Sequence, residues 1–297
     1  MSAISDVARI QEVNAEHVKY LSGYEKFTTN VVSLAREVLY RGTMSAYKMT
    51  GRFQQYDSMS FPEPDHRGLF VLIHGLRSDP AAWFRQIFLL ENRQSEFKTH
   101  IFAPVVHNLG ICSLEEAARP ILEQLVPYIS RYPMHPICLL GTSNGGRITL
   151  WLEQKLREAS PTTPIRISNV AGVHLGTQRM NDLSEFKLTE HWYPESLLEE
   201  IKYKSPVATR LIQESSNPAL NGHRSYEFFS TVNDLLIPNM DSTLPVIENH
   251  EARYYIVTGE SHGSVVEAVA RQQISSCIEW MQQYAAPSEK EEQLSVS

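Results

Sequence analysis

The sequence has few cysteines, no long apolar run and no cluster of basic residues. Its three cysteines, Cys112, Cys138 and Cys277, are odd in number, far apart and without Cys-x-x-Cys or Cys/His spacing. This pattern argues against a disulfide framework and against a zinc or other metal site. No stretch approaches the roughly 18 consecutive apolar residues of a membrane span, and the first residues do not form a cleavable signal. We therefore expect a cytoplasmic protein without an integral membrane segment.

The charge balance is mildly acidic and narrows the choice of partners. There are 27 basic and 34 acidic side chains, which give a formal net charge of −7. Nucleic acids and anionic membrane surfaces attract clustered positive charge, so neither is expected as the main partner. A chain of 297 residues with 42% hydrophobic residues is long enough for one large domain with an insertion or a terminal extension.

From residue 68 onward, short apolar runs alternate with amphipathic stretches. This alternation predicts an α/β fold with a mostly parallel central sheet and helices on its faces. Helical stripes of apolar residues, spaced by three or four, cover residues 114–129, 148–156 and 266–281. Strands are predicted at residues 68–74, 100–106, 136–141, 165–173, 226–231 and 253–258.

The N-terminal segment is predicted to be a helical extension covering residues 1–48. We expect its apolar face to pack against the rest of the chain, with docking of a partner as the alternative. That face consists of Tyr24, Phe27, Val31, Leu34 and Val38.

Another segment interrupts the alternation between two predicted strands. Residues 177–224 are more polar, contain three prolines and are predicted to form a cap or lid of short helices. The α/β core then consists of residues 49–176 and 225–286, followed by a charged, disordered tail over residues 287–297.

The most informative local motif is Gly141-Thr142-Ser143-Asn144-Gly145-Gly146, which matches Gly-x-Ser-x-Gly. It lies directly after the apolar run ICLL and directly before an amphipathic helix. A serine on such a tight strand-to-helix turn needs very small neighbours two positions away on either side. The turn exposes the hydroxyl at a helix N-terminus, which favours developing negative charge, so Ser143 is the candidate nucleophile.

A serine hydroxyl is a weak nucleophile until a base removes its proton. In an open α/β sheet, the partners should follow strands downstream of the serine, in the order serine, acid, histidine. His262 follows the predicted strand RYYIVT after a short loop, and Asp234 follows YEFFST by two residues. We expect His262 to be the base and Asp234 to orient it, with Asp241 and Glu260 as weaker alternatives for the acid.

The third requirement is a pair of donors for the oxyanion of a tetrahedral intermediate. His74-Gly75-Leu76 ends the first predicted strand, and its glycine allows the chain to turn so that the N–H of Leu76 faces the nucleophile. The N–H of Asn144, just after Ser143, is the second expected donor. His74 itself is expected to brace the turn by hydrogen bonding rather than to transfer protons.

Together these motifs resemble the α/β-hydrolase fold superfamily, and within it lipase/esterase-type serine hydrolases. The resemblance covers about residues 65–285 and implies a Ser143–His262–Asp234 triad with Leu76 and Asn144 as oxyanion donors. The sequence departs from the lipase pattern in its Thr-Ser-Asn elbow and in the helical segment that replaces much of the leading sheet. No phosphate loop or metal-ligand spacing occurs, so no cofactor is expected.

The resemblance also implies a substrate class. Residues 173–177 are similar to the region from which lipase-like proteins begin a lid, and the apolar side chains beyond it, including Trp192, Tyr193 and Leu197, line an acyl-chain pocket or only pack the lid. The expected reaction is hydrolysis of a small-molecule ester or lipid with an apolar acyl group. A thioesterase, an acyltransferase with the same triad and a non-catalytic binding protein with this fold stay open, as does the oligomeric state.

Overall fold

The protein is described by a computed structural model that covers residues 9–14, 23–59, 65–185, 193–218 and 223–284. Within these ranges, a central sheet of seven strands has the order β1-β7-β6-β5-β4-β2-β3. All neighbouring strands are parallel except β1, which pairs antiparallel with β7. The strands are β1 (Arg9–Val13), β2 (Leu69–Ile73), β3 (His100–Phe102), β4 (Ile137–Thr142), β5 (Ile165–Val170), β6 (Arg224–Thr231) and β7 (Glu251–Thr258).

Helices cover both faces of the sheet. On one face, α1, α2 and α9 bury Tyr40, Ile87 and Ile274 in one hydrophobic cluster. On the other face, α3, α4 and α7 contribute to a second cluster. The helices are α1 (Gly23–Thr50), α2 (Phe84–Asn92), α3 (Leu114–Arg131), α4 (Asn144–Ala159), α5 (Gln178–Glu185), α6 (Glu195–Ile201), α7 (Pro206–Ser215), α8 (Met240–Thr243) and α9 (Ser264–Gln282).

The two clusters explain why the strands are nearly continuous apolar runs. All five residues of β2 are buried. Successive side chains of a strand point to opposite faces, so Phe70 and Leu72 belong to one cluster while Leu69 and Val71 belong to the other. The predicted α/β fold with a mostly parallel sheet is confirmed, and each of the six predicted strands overlaps an observed one.

The N-terminal segment differs from its prediction in one element. Residues 9–13 form strand β1 rather than part of a helix, whereas the predicted helix is present as α1. β1 pairs with β7 from Arg9 opposite Thr258 to Val13 opposite Tyr254. This pairing satisfies backbone groups that β7 would otherwise present at the edge of the sheet, and it depends on a strand more than two hundred residues away.

The orientation of α1 also differs from its prediction. Val31, Leu34 and Val38 are 60%, 63% and 66% exposed, so this apolar stripe does not pack against the core. Ser33 and Tyr40 are buried instead. The side chains of Tyr24 and Phe27 lie outside the described residues. Tyr40, Met44 and Tyr47 pack against the hydrophobic cluster, and other α1 side chains make polar contacts with two distant loops, so the expected packing through the apolar stripe is wrong.

The segment between β5 and β6, where a cap is predicted for residues 177–224, contains the short helices α5, α6 and α7. Its attachment to the core includes an ion pair, in which Nη2 of the buried Arg147 on α4 lies 3.2 Å from Oε2 of the partly exposed Glu200 on α6. The predicted boundaries of the core and the cap stay predictions, and the predicted tail at residues 287–297 lies outside the described residues. Among the described helices, none is long and apolar enough to cross a membrane.

Candidate active site

Ser143 lies on a sharp turn between β4 and α4. Its backbone angles are φ 54° and ψ −124°, a combination that strains any residue with a Cβ. The turn is possible because glycines surround it. A Cβ on Gly145 would overlap the carbonyl oxygen of Ile73, and a Cβ on Gly141 would lie 2.6 Å from the carbonyl oxygen of Gly145. The Gly-x-Ser-x-Gly spacing therefore reflects the close approach of β4, α4 and the end of β2.

The imidazole of His174 packs against the same turn. The side chain is completely buried, and its Nδ1 lies 2.8 Å from the carbonyl oxygen of Ser242. The side-chain amide of Asn169 donates to Nε2 at 3.0 Å, which matches a neutral imidazole with its proton on Nδ1. Burial lowers the pKa of His174 to about 4. A Cβ on Gly146 would lie 2.9 Å from Nε2, so the ring supports the first turn of α4.

Asp234 and His262 are brought together from the ends of two neighbouring strands, β6 and β7. Nδ1 of His262 lies 2.7 Å from Oδ2 of Asp234. The other carboxylate oxygen, Oδ1, accepts hydrogen bonds from the N–H groups of Leu236 at 2.9 Å and Ile237 at 2.8 Å. The carboxylate is therefore fixed on both sides, and it can select the imidazole tautomer with the proton on Nδ1.

The charge state of His262 reflects competing effects. Burial by itself would lower the pKa of the imidazole, because it disfavours the charged form. The negative charge of Asp234, its hydrogen bond and the charge of Glu37 outweigh burial, so the pKa of His262 is raised above its ordinary value. These groups would stabilise an imidazolium formed when the ring takes a proton.

The turn that follows β2 passes directly over Ser143. A Cβ on Gly75 would lie 2.7 Å from the Cβ of Ser143, so only glycine allows this approach. Nδ1 of His74 lies 2.8 Å from the carbonyl oxygen of Gly75, and Nε2 accepts a hydrogen bond from the N–H of Val106 at 3.0 Å. Both ring nitrogens of His74 are thus engaged with the backbone. This is the geometry of the expected bracing role, and burial lowers the pKa of the ring.

The two expected oxyanion donors flank the same turn. Leu76 lines the cavity that contains Ser143, and Asn144 is the first residue of α4. An N–H in the first turn of a helix has no carbonyl partner within that helix, so it is available to a ligand. The oxyanion roles of Leu76 and Asn144 stay predictions.

A cavity of about 380 Å³ contains both Ser143 and His262. Its walls come from the turns after β2 and β4, from α1 and from the cap, and they are largely apolar. Tyr193 lines the cavity. Leu197 is buried instead within the cap's own hydrophobic cluster, among Val173, Met180 and Ile201. Trp192 lies outside the described residues.

The alternative acids have other partners. Asp241 accepts a hydrogen bond from the hydroxyl of Tyr203 and pairs with Lys204 at 3.2 Å. Glu260 forms an ion pair with Arg36 and accepts a hydrogen bond from Ser264 at 2.7 Å. Asp234 is thus the carboxylate that contacts His262. Over the described residues, no group of three or more His, Cys, Asp or Glu side chains is arranged to hold a metal ion.

Helix α1 also contributes to this site, which the sequence did not indicate. Glu37, Tyr40, Arg41 and Met44 form one wall of the cavity. Glu37 also contacts the loop that carries His262, across a sequence separation of 226 residues in the case of Gly263. No local pattern signals a contact of that range.

No family model matches the sequence, and no curated protein matches it. Among solved structures, the peroxisomal α/β-hydrolase Lpx1 from Saccharomyces cerevisiae matches with a TM-score of 0.53 and 12% identity, over 78% of this chain and 82% of that chain. The Bacillus licheniformis lipase BlEst2 in mature form matches with a TM-score of 0.49 and 12% identity, over 76% of this chain and 96% of that chain. The haloalkane dehalogenase DpaA from Paraglaciecola agarilytica matches with a TM-score of 0.47 and 14% identity, over 72% of this chain and 85% of that chain.

At such low identity, structural likeness shows the fold and leaves the chemistry to be argued from the site. The match to Lpx1, together with the strand order and the turn at Ser143, shows that this chain has the α/β-hydrolase fold. The fold expected from the sequence motifs is therefore confirmed.

Proposed function

We propose that the protein is a serine hydrolase that cleaves a carboxylic ester with an apolar acyl group. The observation that carries this proposal is the 2.7 Å contact between Asp234 and His262 on the same cavity as Ser143, which stands on a strained turn. Groups of these three types, in this chain order, form the catalytic triad of serine hydrolases.

In the proposed mechanism, Nε2 of His262 accepts the proton of the Ser143 hydroxyl while the oxygen attacks the ester carbonyl. Asp234 keeps the proton of the ring on Nδ1 and stabilises the imidazolium. The carbonyl oxygen becomes an oxyanion, which the N–H groups of Leu76 and Asn144 stabilise. His262 then protonates the leaving alkoxide, and the acyl group stays on Ser143 until a water molecule, activated by the same histidine, releases it.

The apolar walls of the cavity support the choice of acyl group. Met44, Val173, Met180 and Ile201 line the space around Ser143, and burying apolar acyl carbons there is favourable at roughly 0.8 kcal/mol per methylene group. Tyr193, which also lines the cavity, is proposed to contact the acyl group. The cytoplasmic location expected from the cysteine pattern stays a prediction.

The decisive experiment is covalent labelling with a fluorophosphonate probe, followed by mass spectrometry of the labelled peptide. The wild-type protein should react at Ser143, and Ser143→Ala should not react. Ser78 lines the same cavity and provides a matched control, because Ser78→Ala should still be labelled. A wild-type protein that does not react, or a Ser143→Ala variant labelled at the wild-type rate, would refute the proposed nucleophile.

The substrate class is tested separately with 4-nitrophenyl esters of increasing acyl length. We expect kcat/KM to rise from acetate to the medium-chain esters that a cavity of about 380 Å³ can hold. Adding an alcohol or a thiol as a competing acceptor, with analysis of the products, distinguishes hydrolysis from acyl transfer. Equally slow turnover of all the esters, with fast turnover of a thioester, would favour the thioesterase alternative.

A further inference from the structure

Helix α1 contacts the histidine loop on both sides of His262. Oε2 of Glu37 accepts a hydrogen bond from the hydroxyl of Ser261 and another from the N–H of Gly263 at 2.9 Å. The other oxygen of this carboxylate accepts from Nε of Arg41 at 2.6 Å. A single side chain therefore holds the residues immediately before and after the candidate base.

Side chains of α1 lie directly against Gly263. A Cβ on this residue would lie 2.7 Å from Oε2 of Glu37 and 2.8 Å from Cδ1 of Tyr40. A larger residue at position 263 would therefore displace the Glu37 carboxylate or the Tyr40 ring.

The same helix reaches the loop that carries Asp234. The side-chain amide of Asn233 donates to Oγ1 of Thr29 and to Oδ1 of Asn30, both at 2.8 Å. The side-chain oxygen Oδ1 of Asn233 accepts a hydrogen bond from the N–H of Gly259 at 3.0 Å. This bond joins the loop that carries Asp234 to the loop that carries His262. Arg36 adds a hydrogen bond to the carbonyl oxygen of Gly259 at 3.2 Å.

Charged groups approach His262 from two elements. Asp234 contacts the ring from the loop after β6, and α1 contributes Glu37 and, further away, Arg41. On the histidine loop itself, Glu260 is paired with Arg36 of α1. The other charged side chains that line the cavity are Arg77 and Arg179. Burial by itself would raise the pKa of Glu37, but hydrogen bonds from Ser261, Arg41 and Gly263 and the positive charge of Arg41 outweigh it and lower the pKa, so this carboxylate is negatively charged at neutral pH.

We propose that Glu37 is a positioning residue of the active site: it holds His262 in place through Ser261 and Gly263, and it adds a second carboxylate charge beside the imidazole. The proposal rests on the proposed function of Ser143 and His262. When the proton moves from the Ser143 hydroxyl to Nε2 of His262, the positive charge of the ring is then stabilised by Asp234 in direct contact and by the charge of Glu37, which is hydrogen-bonded to the two residues next to His262. The charge of Glu37 raises the pKa of the His262 imidazole, and the charge of Arg41 lowers it.

Three variants separate the charge of Glu37 from its hydrogen bonds. Glu37→Gln keeps an acceptor oxygen for Ser261 and Gly263 but removes the charge. Glu37→Ala removes both. Arg41→Gln is the matched control, because it removes the opposite charge one helical turn away on the same side of α1.

The first measurement is the titration of the His262 imidazole by NMR, assigned by comparison with His262→Asn. We expect Glu37→Gln to shift the pKa of His262 downward and Arg41→Gln to shift it upward. A general loosening of the loop would move both variants in the same direction. Equal pKa values in the wild type and both variants, or shifts of the same sign, would overturn the proposal.

The second measurement is the rate of fluorophosphonate labelling, taken on the pH plateau where His262 is neutral. We expect Glu37→Gln to stay within a few-fold of the wild type and Glu37→Ala to be slower by about 10-fold to 100-fold, because small displacements of a catalytic group are costly. Wild-type labelling in Glu37→Ala would overturn the positioning role. If Glu37→Ala does not fold, the titrations of Glu37→Gln and Arg41→Gln still decide the proposal.

The two measurements also distinguish this proposal from the proposed function. A wild-type protein that does not react with the probe contradicts Ser143 as the nucleophile, whereas the NMR titration needs no activity. Opposite shifts in the Glu37 and Arg41 variants would then still support the placement of Glu37 beside His262.

Discussion

Replacing Ser143 by glycine is expected to make the protein more stable than replacing it by alanine, although both variants lose the nucleophile. Ser143 has φ 54° and ψ −124°, close to the first central position of a type II′ turn, where glycine is strongly preferred. Alanine keeps the Cβ and therefore the strain. Glycine relieves it without requiring any change in the turn.

The expected difference follows from three effects. Backbone strain of this kind costs about 1–3 kcal/mol. Relief of the strain stabilises the glycine variant, but about 0.4–1 kcal/mol of this stabilisation is lost because glycine makes the unfolded chain more flexible. Loss of a half-buried methyl group removes a few tenths of a kcal/mol more. We therefore expect the free energy of unfolding of Ser143→Gly to exceed that of Ser143→Ala by about 1 kcal/mol.

Urea unfolding of the two variants measures this difference directly, because neither has the serine hydroxyl. Ser45 provides the control, since it is exposed on α1, five residues before the helix ends at Thr50. There the order should reverse, with glycine less stable than alanine by about 1 kcal/mol. If glycine at position 143 is no more stable than alanine while the Ser45 pair behaves as expected, the turn carries no strain and the reasoning is refuted.

Three further predictions concern the turn, its brace and the acid. Gly145→Ala should lower the free energy of unfolding by at least about 2 kcal/mol, measured in urea, because its Cβ would overlap the backbone of Ile73. His174 has its pKa lowered to about 4 in the folded protein, so the unfolded chain binds the proton first as the pH falls below about 6.5. Stability should therefore be lost on acidification, by about 2 kcal/mol between pH 7 and pH 5, and His174→Gln should lack this contribution. Asp234→Asn should slow fluorophosphonate labelling of Ser143 by about 10³-fold to 10⁴-fold, because the amide selects the wrong imidazole tautomer.

Each of these predictions has an outcome that contradicts it. Wild-type stability of Gly145→Ala would mean that β2 and α4 are not in close contact. An equal loss of stability in the wild type and His174→Gln between pH 7 and pH 5 would show that this imidazole is protonated in the folded protein. Near-normal labelling of Asp234→Asn would exclude Asp234 as the orienting acid.

The parts of the structure encoded by local patterns could be predicted from the sequence. The strands around Ser143 are apolar runs because helices cover both faces of the sheet, and the glycines at positions 141 and 145 record the close approach of backbone at the turn. Its position just after a predicted strand favours Asp234 over Asp241, and Asp234 contacts His262 in the structure. In these cases sequence position determines spatial position.

The conformation of β1 and the inner face of α1 could not be predicted from local sequence patterns. β1 contains only two apolar residues, and its conformation depends on pairing with β7. The apolar stripe of α1 predicted the wrong inner face: the helix packs through Tyr40, Met44 and Tyr47 instead, and Arg36 and Glu37 add polar contacts to distant loops. Hydrophobic periodicity alone does not record those polar contacts. The apolar stripe itself is exposed, and partner docking by this surface stays a prediction.

The contacts of Glu37 also bear on how the protein is made. The elbow and its serine lie in the first half of the chain, but the carboxylate that holds the histidine loop joins residues 224 positions apart. Closing so long a loop is slow and costs conformational entropy, so it follows the formation of nearer contacts. A nascent chain that has emerged only as far as β5 contains Ser143, yet the contact between Asp234 and His262 and the hold of Glu37 on the histidine loop can form only after β7 and that loop have been synthesised.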